Sequence, residues 1–301
     1  MTVRVQDWLK GSFPAIVTPM RENGELDFLA FDSLIDWHVE KGSSGLVVAG
    51  TTGESPTLNA EEHCEVIARC VRQVNQRIPV IAGTGSNSTE EALFFTREAK
   101  KLGVDACLLV TPYYNNPSQE GLYRHFSMIE DAVDIPQILY NVPGRTVCDM
   151  SNETVLRLAE LPNIVGIKDA TGDLLRGQAL LANCSDDFVV LSGDDETSRE
   201  LMAFGARGAI SVTANVVPDR MSEICESMLT KNFDRAAELD KSISALHKEL
   251  FVEANPVPAK WALGRMGKIQ FGIRLPLVSL SKTCHFQLEK AMRDSGISLE
   301  D

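Results

Sequence analysis

The chain has 301 residues, 44% hydrophobic and 24% charged, with a formal net charge of −13 at neutral pH. This is the composition of a globular protein with room for one large α/β domain and a small appendage. The acidic balance excludes a nucleic-acid partner, which selects a basic face, and any anion site must supply its own positive groups.

No apolar run reaches the ~18 residues of a membrane span, and Met1–Lys10 lacks the apolar core of a signal peptide. A cytoplasmic protein without membrane contact is therefore expected. Cys64, Cys70, Cys107, Cys148, Cys184, Cys225 and Cys284 are scattered without a CxxC pair. They fit buried free thiols in a reducing compartment.

Short apolar runs alternate with amphipathic stretches. Candidate strands are Phe13–Val17, Gly45–Gly50, Val80–Gly85, Ala106–Thr111, Gln137–Val142, Ile164–Ala170, Phe188–Gly193 and Gly208–Thr213. The helical period of 3.6 residues falls on Phe28–Lys41, Ala60–Gln76, Thr89–Leu102, Gln119–Val133, Asn152–Leu161, Leu174–Asn183, Ser198–Phe204 and Arg220–Leu229. Helix starts such as Ser88-Thr89-Glu90-Glu91 and Ser151-Asn152-Glu153 place side-chain oxygens before acidic first turns. Eight strands, each followed by a helix, in roughly 215 residues predict an α/β fold of the (β/α)8 TIM-barrel type. The alternative is a doubly wound open sheet, which needs a reversal of strand order. After Lys231, Asn232–Leu250, Pro258–Gly267 and Thr283–Ser295 read as helices with no strand between them. The chain thus divides into a barrel domain over 1–231 and a helical appendage over 232–301, about 70 residues.

In such barrels the chemistry sits at the C-terminal ends of the strands. Lys168 lies in the apolar run Ile164–Ala170, where an ammonium group is costly unless paired or discharged. Burial favours the neutral amine, the form that attacks a carbonyl carbon. The alternative is a strand-end lysine paired to an acid, with Asp169 adjacent. The second strand ends in Gly50-Thr51-Thr52-Gly53-Glu54-Ser55, a turn able to grip a small carboxylate. Tyr113 and Tyr114 in a Pro/Asn loop suggest an interface or a pocket lid. Tyr140 could move protons, and Arg145 offers a fork for a carboxylate. Asp194, Asp195 and Glu196 follow the seventh strand, where barrels often hold a phosphate, so a sugar phosphate is not the expected substrate. His38, His63, His125, His247 and His285 are dispersed, with His63 read as helix surface, and no metal site is expected.

Five segments at successive strand ends carry a resemblance. Gly50–Glu54 (GTTGE), Thr111–Tyr114 (TPYY), Tyr140–Arg145 (YNVPGR), Ile167–Thr171 (IKDAT) and Leu191–Asp195 (LSGDD) resemble the dihydrodipicolinate synthase family. That family belongs to the pyruvate-dependent class I aldolase superfamily, which also contains N-acetylneuraminate lyase. The likeness extends from about Phe13 to the tail segment Leu250–Trp261 and weakens beyond Gly267.

The resemblance implies a cytoplasmic lyase that condenses pyruvate with L-aspartate 4-semialdehyde, the first committed step of diaminopimelate and lysine synthesis. It implies no cofactor, because a covalent imine between pyruvate and Lys168 does the work. Lys168, Tyr140, Thr51 and Tyr114 carry over as catalytic residues, Tyr114 reaching in from a neighbouring subunit. Thr52, Arg145, Gly193 and the Ile210 carbonyl carry over as substrate-binding positions. A homotetramer built as a dimer of dimers is implied. So is an L-lysine inhibitor in an interface cleft apart from the catalytic pocket, at Ser55, Pro56, His63, Asn87, Glu91 and Tyr113. Ala60 stands where some lysine-sensitive members have a histidine, which predicts weaker inhibition. Two rivals are a sibling aldolase acting on a sugar acid and a non-catalytic, ligand-sensing barrel. Arg145 speaks against the first, and the presence of Lys168, Tyr140 and Thr51 against the second.

Overall fold

The computed structural model describes residues 4–299. Its strands are β1 (Gly11–Pro14), β2 (Leu46–Val48), β3 (Val80–Gly83), β4 (Ala106–Val110), β5 (Gln137–Asn141), β6 (Ile164–Asp169), β7 (Val189–Ser192) and β8 (Gly208–Ser211). All neighbours pair in parallel, in the order β1-β8-β7-β6-β5-β4-β3-β2. The two ends meet through a parallel bridge between Ala15 and Val47, where the Ile16 N–H donates to the Val47 carbonyl at 3.0 Å. An unreversed order joined end to end is a (β/α)8 barrel and excludes the doubly wound sheet.

The helices begin where the sequence offers caps. Asn59 and Glu62 form a reciprocal capping box at Ala60–Val74, and the Ser88, Ser118 and Ser151 side chains accept the first free N–H groups of their helices. The strands end earlier than the apolar runs suggest, because the polar residues at their C-termini leave the ladder to make the βα turns. Four short turns escaped the periodic reading: helical Val5–Trp8 and Pro143–Thr146, and 3₁₀ turns Ser55–Thr57 and Thr213–Asn215. None is long enough to show a period.

Two apolar cores result. The barrel lumen holds Phe13, Val47, Ile81, Leu108, Ile138, Leu191 and Ile210, with Tyr140 at its upper edge. A second, larger core lies between strands and helices, and it also takes in Ala236, Ile243, Leu246, Trp261 and Leu288 of the C-terminal helices. Helices Phe233–Glu249, Val257–Arg265 and Lys282–Asp294 therefore share the barrel's outer core. The seven cysteines are free, four of them buried. Burial pushes the Cys107 and Cys225 thiols up to about 12. Among the described residues no helix is long and apolar enough to cross a membrane, and no group of His, Cys, Asp and Glu could hold a metal ion.

Candidate active site

Residue alternation along β6 sends Lys168 into the barrel and Asp169 outward. Asp169 Oδ1 accepts from the Thr171 N–H at 2.9 Å, so it is spent on its own turn. Lys168 is 5% exposed, and among the described residues no carboxylate lies within ion-pair distance of it. The paired strand-end alternative therefore fails.

Lys168 lies directly opposite Tyr140 in the β5–β6 register, and its Nζ sits 4.2 Å from the centroid of that ring. Gly193 lies against the lysine stem: a Cβ there would come within 2.7 Å of Lys168 Cε and 2.9 Å of Cγ. Glycine at this position is thus a condition for the lysine's path. A small cavity above the lumen is lined by Lys168, Tyr140, Thr51, Thr52, Gly83 and Gly85. The polar side chains in its walls are Thr51, Thr52, Ser55, Tyr140 and Lys168.

Thr51 and Thr52 stand on the turn after β2, which Glu54 completes in the left-handed region at φ 58°. The Thr52 hydroxyl accepts from Asn255 Nδ2 at 2.9 Å. Arg145 sits in the short helical turn Pro143–Thr146, and its Nη2 donates to the Asn255 carbonyl at 3.2 Å. The guanidinium faces a second cavity of about 450 Å³ that adjoins the first and shares Thr51, Ser55, Gly85 and Val110 with it.

Ser55, Pro56, Ala60, His63, Glu91 and Tyr113 line this outer cavity together with Arg145. In the single chain the expected regulatory positions and the expected substrate arginine thus face one space, not two separate ones. Asn87 does not line it; its carbonyl accepts from Asn115 Nδ2 at 2.8 Å and ties two loops together. The reading of His63 as helix surface is corrected: it is 4% exposed, with Nε2 at 2.9 Å from the Gly83 carbonyl and its ring 4.3 Å from that of Phe95. Burial is the main cause that lowers its pKa, against the opposing pull of the Gly83 carbonyl. Glu91 already accepts a hydrogen bond from the Ser86 hydroxyl.

Besides Gly193, which meets the lysine stem, two other expected positions line neither cavity. Ile210 belongs to the lumen core. Tyr114 is 92% exposed with φ 74°, on the loop after β4. Two of the acids after β7 have structural work, and Asp194 Oδ2 accepts from the Thr197 N–H and hydroxyl. Asp195 is 3% exposed, and its Oδ2 accepts from the Val212 and Thr213 N–H groups at 2.9 and 2.8 Å. Those are backbone donors of the loop after β8, a place where phosphate-binding barrels hold their anion. A carboxylate of the chain itself occupies them.

The residues that brace the site from the C-terminal segment were not singled out from sequence. Lys260 is paired with Glu54, both essentially buried. Arg274 makes a bidentate pair with Glu62 at 2.7 Å and also donates to the Thr57 and Gly24 carbonyls. The signal was present: Val257–Leu263 is buried all round, and a lysine inside such a helix needs a buried partner.

Comparison with known proteins agrees with this geometry. The model of the dihydrodipicolinate synthetase family matches residues 8–295. The 4-hydroxy-tetrahydrodipicolinate synthase of Pseudomonas putida is 56% identical over 289 residues, 96% of this chain and 99% of that protein. Its counterpart in Teredinibacter turnerae is 57% identical, over 95% of this chain and 99% of that one. Among solved structures, the chloride-inhibited dihydrodipicolinate synthase of Acinetobacter baumannii, complexed with pyruvate, superposes with a TM-score of 0.95. It is 54% identical, covering 96% of this chain and 100% of that one. The enzyme from Cyanidioschyzon merolae, solved with lysine bound, has a TM-score of 0.93 at 39% identity, covering 97% and 99%. With a family match over nearly its whole length and relatives above half identity, the chain belongs to the dihydrodipicolinate synthetase family.

Proposed function

We infer that the chain is a lyase of the class I aldolase type that condenses pyruvate with L-aspartate 4-semialdehyde to 4-hydroxy-tetrahydrodipicolinate. The observation that carries this reading is the buried, unpaired Lys168 against Tyr140 and over Gly193, at the barrel mouth. The relatives' names and the pyruvate bound in the Acinetobacter structure support it.

In the mechanism the neutral Lys168 amine adds to the pyruvate ketone, and loss of water leaves an imine. The imine withdraws electrons from the methyl group, which gives up a proton and becomes an enamine carbon. That carbon forms the new C–C bond to the semialdehyde's aldehyde carbon, whose oxygen takes a proton. The semialdehyde amine then attacks the imine carbon, closes the ring and releases Lys168. Thr51 and Thr52 hold the pyruvate carboxylate, and Tyr140 passes protons. Arg145, at the border of the outer cavity, holds the semialdehyde carboxylate. In this reading Gly193 borders the imine through the lysine stem, and the Ile210 carbonyl reaches it from the lumen core. No separate cofactor is needed, because the imine is the electron sink.

Tyr114 acts from a neighbouring subunit in this reading. A solvent-exposed tyrosine in the left-handed region is a costly arrangement for a side chain with no task in its own subunit. The active assembly is then at least a dimer, and a tetramer of two dimers follows the family pattern. L-Lysine binds weakly in the outer cavity, its ammonium group on Glu91, with Ser55, Pro56, His63 and Tyr113 around it and Asn87 on the adjoining loop. Absence of a histidine at Ala60 reduces the affinity. The enzyme works in the cytoplasm.

The test is stoichiometric. Pyruvate should disappear one for one with L-aspartate 4-semialdehyde and not with sugar aldehydes. Consumption with a sugar aldehyde alone would point to the sibling aldolases instead.

A further inference from the structure

Of the C-terminal residues that brace the site, Asn255 is the one whose side chain bonds a threonine lining the inner cavity. It is 5% exposed and 203 positions from Thr52 in sequence, yet its Nδ2 donates to the Thr52 hydroxyl at 2.9 Å. A hydroxyl has one proton to give. With an N–H already pointing at its oxygen, Thr52 has no reason to turn that proton toward Asn255. Among the described residues the Thr52 hydroxyl has no other hydrogen-bond partner. Its proton is therefore free for the inner cavity that Thr52 lines with Lys168 and Tyr140. The other half of the amide is bare: Asn255 Oδ1 is buried without a partner. A buried amide that spends its donor on a threonine and leaves its acceptor unmet is oriented for that threonine.

We propose that Asn255 is a positioning residue that fixes the polarity of Thr52, so that the threonine hydroxyl donates to the substrate carboxylate in the inner cavity. The proposal rests on the reading of that cavity as the pyruvate site. It is independent of Arg145, which meets the Asn255 backbone carbonyl and is untouched by a change of side chain. The second substrate's contact should therefore survive substitutions that damage the first.

The experiment measures imine formation, trapped with borohydride over a range of pyruvate concentrations, together with both Michaelis constants. Asn255→Ala removes the donor; Asn255→Asp replaces it with an acceptor that captures the Thr52 proton. Each should raise half-saturating pyruvate, roughly tenfold to a hundredfold, as expected for a lost hydrogen bond to a charged group, with Asp worse than Ala. The Michaelis constant for the semialdehyde should change less than about twofold, within the scatter of sites that do not couple. In a Thr52→Val background the effect of Asn255→Ala should vanish, because no hydroxyl remains to orient. A packing defect would persist there. Four results overturn the proposal: wild-type pyruvate dependence in the Ala variant, equal losses for both substrates, an undiminished effect in the Thr52→Val background, or an Asp variant that binds pyruvate better than Ala. If Asn255→Asp does not fold, the Ala comparison in the two Thr52 backgrounds still decides. Absence of any pyruvate imine in the wild-type protein would instead sink the reading of the cavity itself.

Discussion

In the proposed reading, acceptor choice turns on Arg145. Its guanidinium is exposed toward the outer cavity and held by one bond to the Asn255 carbonyl, so most of its fork is available to a ligand. Arg145→Ala should raise the Michaelis constant for the semialdehyde roughly tenfold to a hundredfold and that for pyruvate much less. Equal effects in steady-state kinetics would make it a structural residue. His38 is a different kind of residue, remote from the chemistry. It is fully buried with both ring nitrogens unpartnered among the described residues, and burial, with Lys268 nearby, lowers its pKa from 6.5 to about 3. Between those values the unfolded chain binds a proton that the folded chain refuses. Its contribution is fully present above pH 6.5 and is lost as pH falls, by ~1.4 kcal/mol per pH unit. Urea titrations should show a shallower acid slope in His38→Leu than in the wild type. Identical slopes between about pH 6.5 and pH 5 would contradict the assignment.

At the scale of elements, the βα turn after β2 is gripped from the C-terminal segment, by helix Val257–Arg265 and the loop that follows it. Glu54, in the left-handed region at the turn's end, is paired inside the protein with Lys260, and Arg274 fastens the next helix through Glu62. Removing one partner of a buried pair leaves an uncompensated charge and typically costs about 3–5 kcal/mol. Lys260→Ala should therefore destabilise strongly in denaturant titrations, whereas Lys260→Met with Glu54→Gln should recover much of the loss. A single variant within about 0.5 kcal/mol of wild type would show the pair to be dispensable. These elements also mark what was readable in the sequence. The strands at Ala106–Val110 and Ile164–Asp169 declared themselves because buried strands carry continuous apolar runs, and Thr89–Leu102 because its cap and period agree. Pairs such as Glu54–Lys260 and Thr52–Asn255 did not. They join residues about two hundred positions apart, and no local pattern encodes such a contact. His63 misled for a related reason: its polar neighbours Glu61, Glu62 and Cys64 point elsewhere, and one helix face alone is buried.

At the scale of the molecule, the single chain leaves two things outside itself. Tyr114 touches neither cavity of its own subunit. If it completes a neighbour's site, an inactive Tyr114→Phe protein mixed with inactive Lys168→Ala under subunit exchange should regain activity. A mixture that stays dead, although exchange is seen by mass, would place the tyrosine's action within its own chain. The outer cavity carries the regulatory expectation, and in this chain it opens onto Arg145 as well as Glu91. Lysine should therefore inhibit partially and weakly, and Glu91→Ala should abolish the inhibition with little change in turnover. Full activity of the wild type at lysine concentrations far above those in cells would remove the cavity from regulation.

The central claim is that Lys168 attacks pyruvate. The direct measurement is reduction of the protein with borohydride in the presence of pyruvate alone, followed by intact mass and peptide mapping. One reduced three-carbon adduct per chain, on Lys168 and absent from Lys168→Ala, is the predicted result. No adduct, or an adduct on another residue such as Lys260, would contradict the account.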